Sequence, residues 1–104
     1  MIAERDIEAY LVRLAERMGG HAYKFTSPGC VGVPDRLVLL PKGVAFFVEL
    51  KAPGQRPRPI QEKRGKELAA LGFPVLWLDS KEAVKGLMDA AVNGRLEAGW
   101  RKWE

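Results

Sequence analysis

The feature that most constrains the fold is a pair of apolar, β-forming runs separated by a short break that contains glycine. The first run spans 37–40, the second spans 44–48, and the break spans 41–43. Two runs of this composition joined by a three-residue loop predict an antiparallel β-hairpin. If Leu40 faces Val44 across the loop, the register of every other pair in the hairpin follows.

That register brings charged residues together at the open end of the hairpin. Asp35 lies opposite Glu49, so their carboxylates share one face of the sheet, and Lys51 joins them because the side-chain period of a strand is two. Two facing carboxylates repel each other unless a cation such as Mg²⁺ binds between them, with waters and a phosphate as its other ligands. Such a metal activates water and polarises a phosphodiester, while Lys51 stabilises charge. The hairpin alone is equally consistent with an ordinary strand whose charged side chains are simply exposed to solvent.

The rest of the chain predicts a single α/β domain. Apolar residues at helical spacing predict helices near 7–18, 60–71 and 81–91, and apolar runs predict strands at 21–25 and 75–78. The order is therefore α-β-β-β-α-β-α, a mixed β-sheet flanked by helices, with the strand at 75–78 parallel to the second hairpin strand. We assign residues 1–92 to the domain and 93–104 to a C-terminal tail or interface segment.

Charge and composition narrow the class of partner. Residues 51–67 contain six Lys or Arg and two Glu, a net charge of +4 that equals that of the whole chain, so a polyanion is the expected ligand beside the hairpin. A solvated helix face is the ordinary alternative. The single cysteine excludes an internal disulfide, and no apolar run approaches the roughly 18 residues that span a membrane, so we expect a cytoplasmic protein without a membrane partner. The candidate nucleic-acid-binding residues are Lys24, Arg36, Arg56, Arg58, Lys63 and Arg64.

The charged motif resembles that of a known nuclease superfamily. Pro34-Asp35 followed by Glu49-Leu50-Lys51 is similar to the PD-(D/E)XK signature of restriction-endonuclease-like nucleases. The longer match, from Gly32 to Arg36 and onward to Gln61, resembles the VRR-NUC family, in its compact stand-alone form from phages and bacteria. The resemblance covers about residues 4–90. It implies a restriction-endonuclease-like core, Mg²⁺- or Mn²⁺-dependent cleavage of DNA, and a homodimer that acts on branched DNA such as Holliday junctions, in a bacterial or phage-infected host cytoplasm.

The resemblance also implies roles for individual residues. It requires a glutamate on the first helix, for which Glu8 is the best match and Glu4, one turn earlier, is a rival. It requires a glutamine after the catalytic lysine, to orient the attacking water or contact phosphate. The implied catalytic residues are Asp35, Glu49, Lys51, Gln61 and Glu8, and the implied metal ligands are Asp35, Glu49, Glu8 and a backbone oxygen near Leu50.

Two other functions remain open at this level. One is a catalytically silent nucleic-acid-binding module, which the intact set of Asp35, Glu49 and Lys51 argues against. The other is a nuclease subunit that depends on a larger partner, for which the small size of the chain and the unplaced Trp100 and Trp103 are the only indications.

Overall fold

One five-stranded sheet with helices on both faces forms the molecule. The computed structural model describes residues 2–104. The elements in chain order are α1 (Glu4–Arg17), β1 (His21–Lys24), β2 (Arg36–Leu40), β3 (Val44–Leu50), α2 (Pro59–Ala70), β4 (Pro74–Leu78), α3 (Lys81–Val92) and β5 (Gly99–Lys102). The strands are arranged in the order β1-β2-β3-β4-β5. The predicted α/β architecture with a mixed sheet is confirmed. The observed order of elements has one strand more than the predicted order, β5 at its end.

The hairpin has the predicted register. Strands β2 and β3 are antiparallel, with Leu40 opposite Val44 and Arg36 opposite Val48. The break between them is a single 3-10 turn, Pro41–Gly43, in which Lys42 has a φ of 70°. Asp35 directly precedes β2, so continuing the same register places it opposite Glu49.

The second half of the sheet is parallel. Strand β4 pairs with β3 in parallel, as the predicted β-α-β unit requires, and β5 pairs with β4 in parallel. Helix α2 connects β3 to β4, and α3 leads from β4 to β5. Three consecutive strands therefore have their carboxyl ends at the same edge of the sheet.

The two faces of the sheet are covered differently. Helices α1 and α3 pack together on one face, where Phe46, Val48 and Leu50 of β3 join Ile7 and Leu11 of α1 in the buried core. Helix α2 lies over β4 and β5 on the other face. The β1–β2 part of that second face keeps large apolar side chains exposed, among them Tyr23 and Leu39.

The C-terminal segment is part of this packing. Residues 93–104, which the sequence left open as a tail or an interface segment, contain β5. The ring of Trp100 lies against Gly65 of α2, where a Cβ would overlap it, and Trp103 packs against the core. Within residues 2–104 no helix is long and apolar enough to cross a bilayer.

Candidate active site

Asp35 holds the open end of the hairpin together. Its backbone carbonyl accepts from the amide of Phe25 at 2.8 Å, which extends the pairing of β1 with β2. Its carboxylate Oδ2 accepts from the Leu50 amide at 3.0 Å. Burial raises the pKa of Asp35 above its ordinary value, and the charge of Glu8 raises it further. The Leu50 hydrogen bond and the charge of Lys51 oppose that rise.

Glu49 is the only charged or polar side chain among the buried residues that the structure describes, at 1% exposure. Its Oε2 accepts from Lys51 Nζ at 3.0 Å and from Gln61 Nε2 at 2.9 Å. Its Oε1 is buried and has no hydrogen-bond partner. Burial first, and then the charge of Asp35, raises the pKa of Glu49 to about 7. A buried carboxylate with an unpaired oxygen is costly, which is typical of a site whose remaining partner is a ligand.

Gln61 is oriented from both ends of its amide. It occupies the first turn of α2, where its Oε1 accepts from the Arg58 backbone amide at 2.8 Å, one half of a capping box. That contact turns Nε2 toward Glu49. A glutamine at the third position of a helix that begins at Pro59 is a sequence signal for this arrangement. The sequence-based prediction did not include that both ends of the amide are engaged within the protein.

Glu8 of α1 approaches the site from the other face of the sheet. Its carboxylate binds Arg36 Nε at 2.9 Å, and Arg36 Nη1 also donates to the Ala22 carbonyl at 3.0 Å. The rival carboxylate, Glu4, is exposed one turn earlier. Of the two, Glu8 is the one whose charge acts on Asp35. Two residues predicted to have separate roles are thus paired with each other.

The predicted nucleic-acid-binding residues fall into two groups. Arg36 and Arg64 have partners within the protein, since Arg64 Nε donates to the Val31 carbonyl at 2.9 Å and Arg64 Nη1 lies 3.1 Å from Glu67. The other four are exposed and form no ion pair within the described residues: Lys24, Arg56, Arg58 and Lys63. Only this second group has its charge free for a polyanion.

The donor set fits a hard divalent cation. Among residues 2–104 no cluster of three or more His, Cys, Asp or Glu side chains has metal-binding geometry. Asp35 and Glu49 supply two carboxylates, and the partnerless Oε1 of Glu49 is a free donor atom. Mg²⁺ is commonly bound by one or two carboxylates together with waters and substrate phosphate. The predicted backbone oxygen near Leu50 and the predicted ligand role of Glu8 stay predictions.

Comparisons with known proteins identify the family of the chain. No protein-family model matches the sequence. A curated relative, "Putative nuclease p44" of Acyrthosiphon pisum secondary endosymbiont phage 1, is 52% identical over 82 residues, which are 79% of this chain and 88% of the relative. A solved structure of a VRR-NUC domain superposes with a TM-score of 0.77 at 32% identity, over 83% of this chain and 94% of that one. The chain has a restriction-endonuclease-like fold and belongs to the VRR-NUC family of nucleases.

Proposed function

We propose that the chain is a Mg²⁺- or Mn²⁺-dependent endonuclease that hydrolyses the phosphodiester bonds of DNA. The observation that supports this most directly is the state of Glu49. One carboxylate oxygen is held by Lys51 and Gln61, and the other is buried without a partner on the face that Asp35 shares. Asp35 and Glu49 would hold a divalent cation there, which would supply an activated water and polarise the phosphodiester.

The protein's own residues perform the remaining tasks. Asp35 and Glu49 bind the cation, and Glu8 adds negative charge from α1. Lys51 stabilises the negative charge that develops on the phosphate oxygens, because an ammonium that is already in place costs no reorganisation during the reaction. Gln61 holds the carboxylate of Glu49 in one orientation.

The substrate and the assembly are proposed from two features. Lys24, Arg56, Arg58 and Lys63 are exposed cations for DNA phosphates. The apolar part of the sheet that α2 leaves open, with Tyr23 at 53% and Leu39 at 39% exposure, supports a homodimer. Two active sites related by a two-fold axis would each act on one strand of a symmetric branched substrate.

Cleavage of labelled DNA tests the proposal. Purified protein is incubated with linear duplex, single-stranded, flap and four-way-junction DNA in Mg²⁺, Mn²⁺ or EDTA. We expect metal-dependent internal cutting, with the junction preferred, and a solution mass twice the 11.6 kDa of the chain. Lys51→Met should lower the cleavage rate by about 100- to 1000-fold while DNA binding persists, because it removes a preorganised charge.

Each alternative gives a distinct result. DNA binding by the wild-type protein without cleavage in any metal would identify a silent binding module. Cleavage that requires an added host or phage fraction would identify a subunit of a larger nuclease. Full activity of Lys51→Met would overturn the assignment of the site.

A further inference from the structure

A row of side chains continues from the site toward the β5 edge of the sheet. In the parallel register, Glu49 is the partner of Trp77, and Trp77 is the partner of Lys102. Paired residues of neighbouring strands point to the same face, so all three share the face of the candidate active site. Because adjacent strands lie about 4.8 Å apart, Lys102 begins about 10 Å from Glu49.

Lys102 lies at a cavity beside this row. The cavity has a volume of about 340 Å³ and is lined by Gly54, Gln55, Arg56, Trp77, Asp79 and Lys102. Its position is the carboxyl edge of β4 and β5, where open α/β sheets commonly bind ligands. The ammonium of Lys102 lies 5.1 Å from the centre of the Trp77 ring, so the ring holds the lysine stem along the sheet.

Lys102 has two acidic neighbours but no close hydrogen bond to either of them. Its Nζ lies 3.6 Å from Asp79 Oδ2 and 3.5 Å from Glu104 Oε1, both longer than the roughly 2.7–2.9 Å of a strong charged hydrogen bond. The same Asp79 oxygen accepts from the Gly54 amide at 3.0 Å, which holds the loop that carries Arg56 over the cavity. An ammonium has three donors, so a phosphate can bind Lys102 without displacing Asp79.

We propose that Lys102 and Arg56 form a binding subsite for a nucleic-acid phosphate next to the scissile one. The subsite rests on the proposed function, because it is defined by its distance from Asp35 and Glu49. It extends the substrate strand from the site across the carboxyl ends of β3, β4 and β5. No sequence pattern pointed to Lys102, since only the register of β5 places it in this row.

Salt-dependent DNA binding tests the subsite. Binding of a labelled junction and a linear duplex is measured in Ca²⁺ at several salt concentrations. Lys102→Met keeps the stem over Trp77 and removes the charge, and Lys85→Met removes one exposed charge from α3, on the opposite face of the sheet. We expect Lys102→Met to weaken binding about 3- to 10-fold and to reduce the slope of log K against log salt by about 0.9, one phosphate contact. Lys102→Arg should restore binding, and Lys85→Met should bind like the wild type.

Neutral linkages locate the contact. A methylphosphonate is introduced at one position at a time around the cleavage point. At one neighbouring position it should weaken the wild type but leave Lys102→Met unchanged, because the partner charge is already absent. An equal penalty in both proteins at every position, or an unchanged salt slope in Lys102→Met, would overturn the subsite while wild-type cleavage leaves the proposed function intact. A wild-type protein that neither binds nor cuts DNA would overturn both.

Discussion

The two faces of β3 differ in composition and in the role of their residues. Phe46, Val48 and Leu50 point into the apolar core under α1 and α3 and are fully buried. Phe47 and Glu49 alternate with them and point to the face of α2, where Glu49 is equally buried but charged. One short strand therefore stabilises the fold with one set of residues and contributes Glu49 of the other set to the candidate active site. Substitutions at different residues of β3 should therefore change stability and activity separately.

The charged face depends on the apolar one. An ionised carboxylate without a partner for one oxygen lowers stability when it is buried, and Glu49 is in that position. The apolar packing on the other side of the same strand offsets this cost and keeps the backbone rigid. Removing a core side chain of β3 should therefore lower stability, whereas neutralising Glu49 should raise it at a pH where the carboxyl would otherwise be ionised.

The largest expected effect belongs to the apolar face. Phe46→Ala removes a fully buried aromatic side chain and should lower the free energy of unfolding by about 3–5 kcal/mol, measured by urea denaturation. Leu39→Ala, on the other face and 39% exposed, is the control and should cost less than about 1 kcal/mol. Similar losses in the free energy of unfolding of both variants would contradict the conclusion that the core face of β3 contributes most of the stability.

The charged face should show its effect as a dependence of stability on pH. The pKa of Glu49 is raised from 4.5 to about 7 in the folded protein. Below pH 4.5 both folded and unfolded states hold the proton, so Glu49 contributes no penalty. Between pH 4.5 and 7 the unfolded chain loses its proton first, so the stability of metal-free protein should fall, by on the order of 3 kcal/mol above pH 7.

Glu49→Gln isolates this contribution. The variant cannot ionise at position 49, so its stability relative to the wild type should rise as the pH increases through that window, measured by urea denaturation in EDTA. Adding Mg²⁺ should stabilise the wild type at pH 8 and have no such effect on Glu49→Gln, because the cation needs the ionised carboxylate. A difference in stability between the two proteins that stays constant from pH 4.5 to 8 would show that folding does not raise the pKa of Glu49.

The hairpin was predictable because its pattern is local. The glycine-containing break and the apolar runs on each side define one register, and that register alone places Asp35 and Lys51 on the face of Glu49. The strand at 75–78 was also predictable, since a continuous apolar run after a helix is typical of a buried parallel strand.

The features that the sequence did not reveal are those made by long-range packing. Strand β5 has the sequence Gly-Trp-Arg-Lys, which has no apolar alternation, and it forms a strand only because β4 offers it an unpaired edge. Positive charge alone could not distinguish Arg36 and Arg64, which bind Glu8 and the Val31 carbonyl, from the exposed cations without an ion pair in residues 2–104. Those cations are Lys24, Arg56, Arg58 and Lys63. Partners 28 and 33 residues away leave no local signal.

The smallest expected effect tests how Gln61 acts. Gln61→Glu keeps an oxygen that accepts from the Arg58 amide, so α2 should still begin at Pro59, but it can no longer donate to Glu49. It also adds a negative charge beside that carboxylate. We expect cleavage to fall about 10- to 100-fold, the usual cost of losing a residue that orients a metal ligand.

Metal affinity of the DNA-free protein decides between the two possible roles of that glutamine. If Gln61 positions Glu49, both Gln61→Glu and Gln61→Ala should change the affinity for Mn²⁺ measured by calorimetry, because the ligand itself is disturbed. If it acts on the attacking water or the phosphate, the affinity of Gln61→Ala should match the wild type while its cleavage falls; Gln61→Glu does not discriminate here, because its added negative charge acts on the metal in either case. Both ends of its amide are bound within the protein, at 2.8 Å and 2.9 Å, so the structure favours the first result. Glu49 would then owe its orientation to the start of α2, and the active-site face would depend on a helix cap rather than on the core.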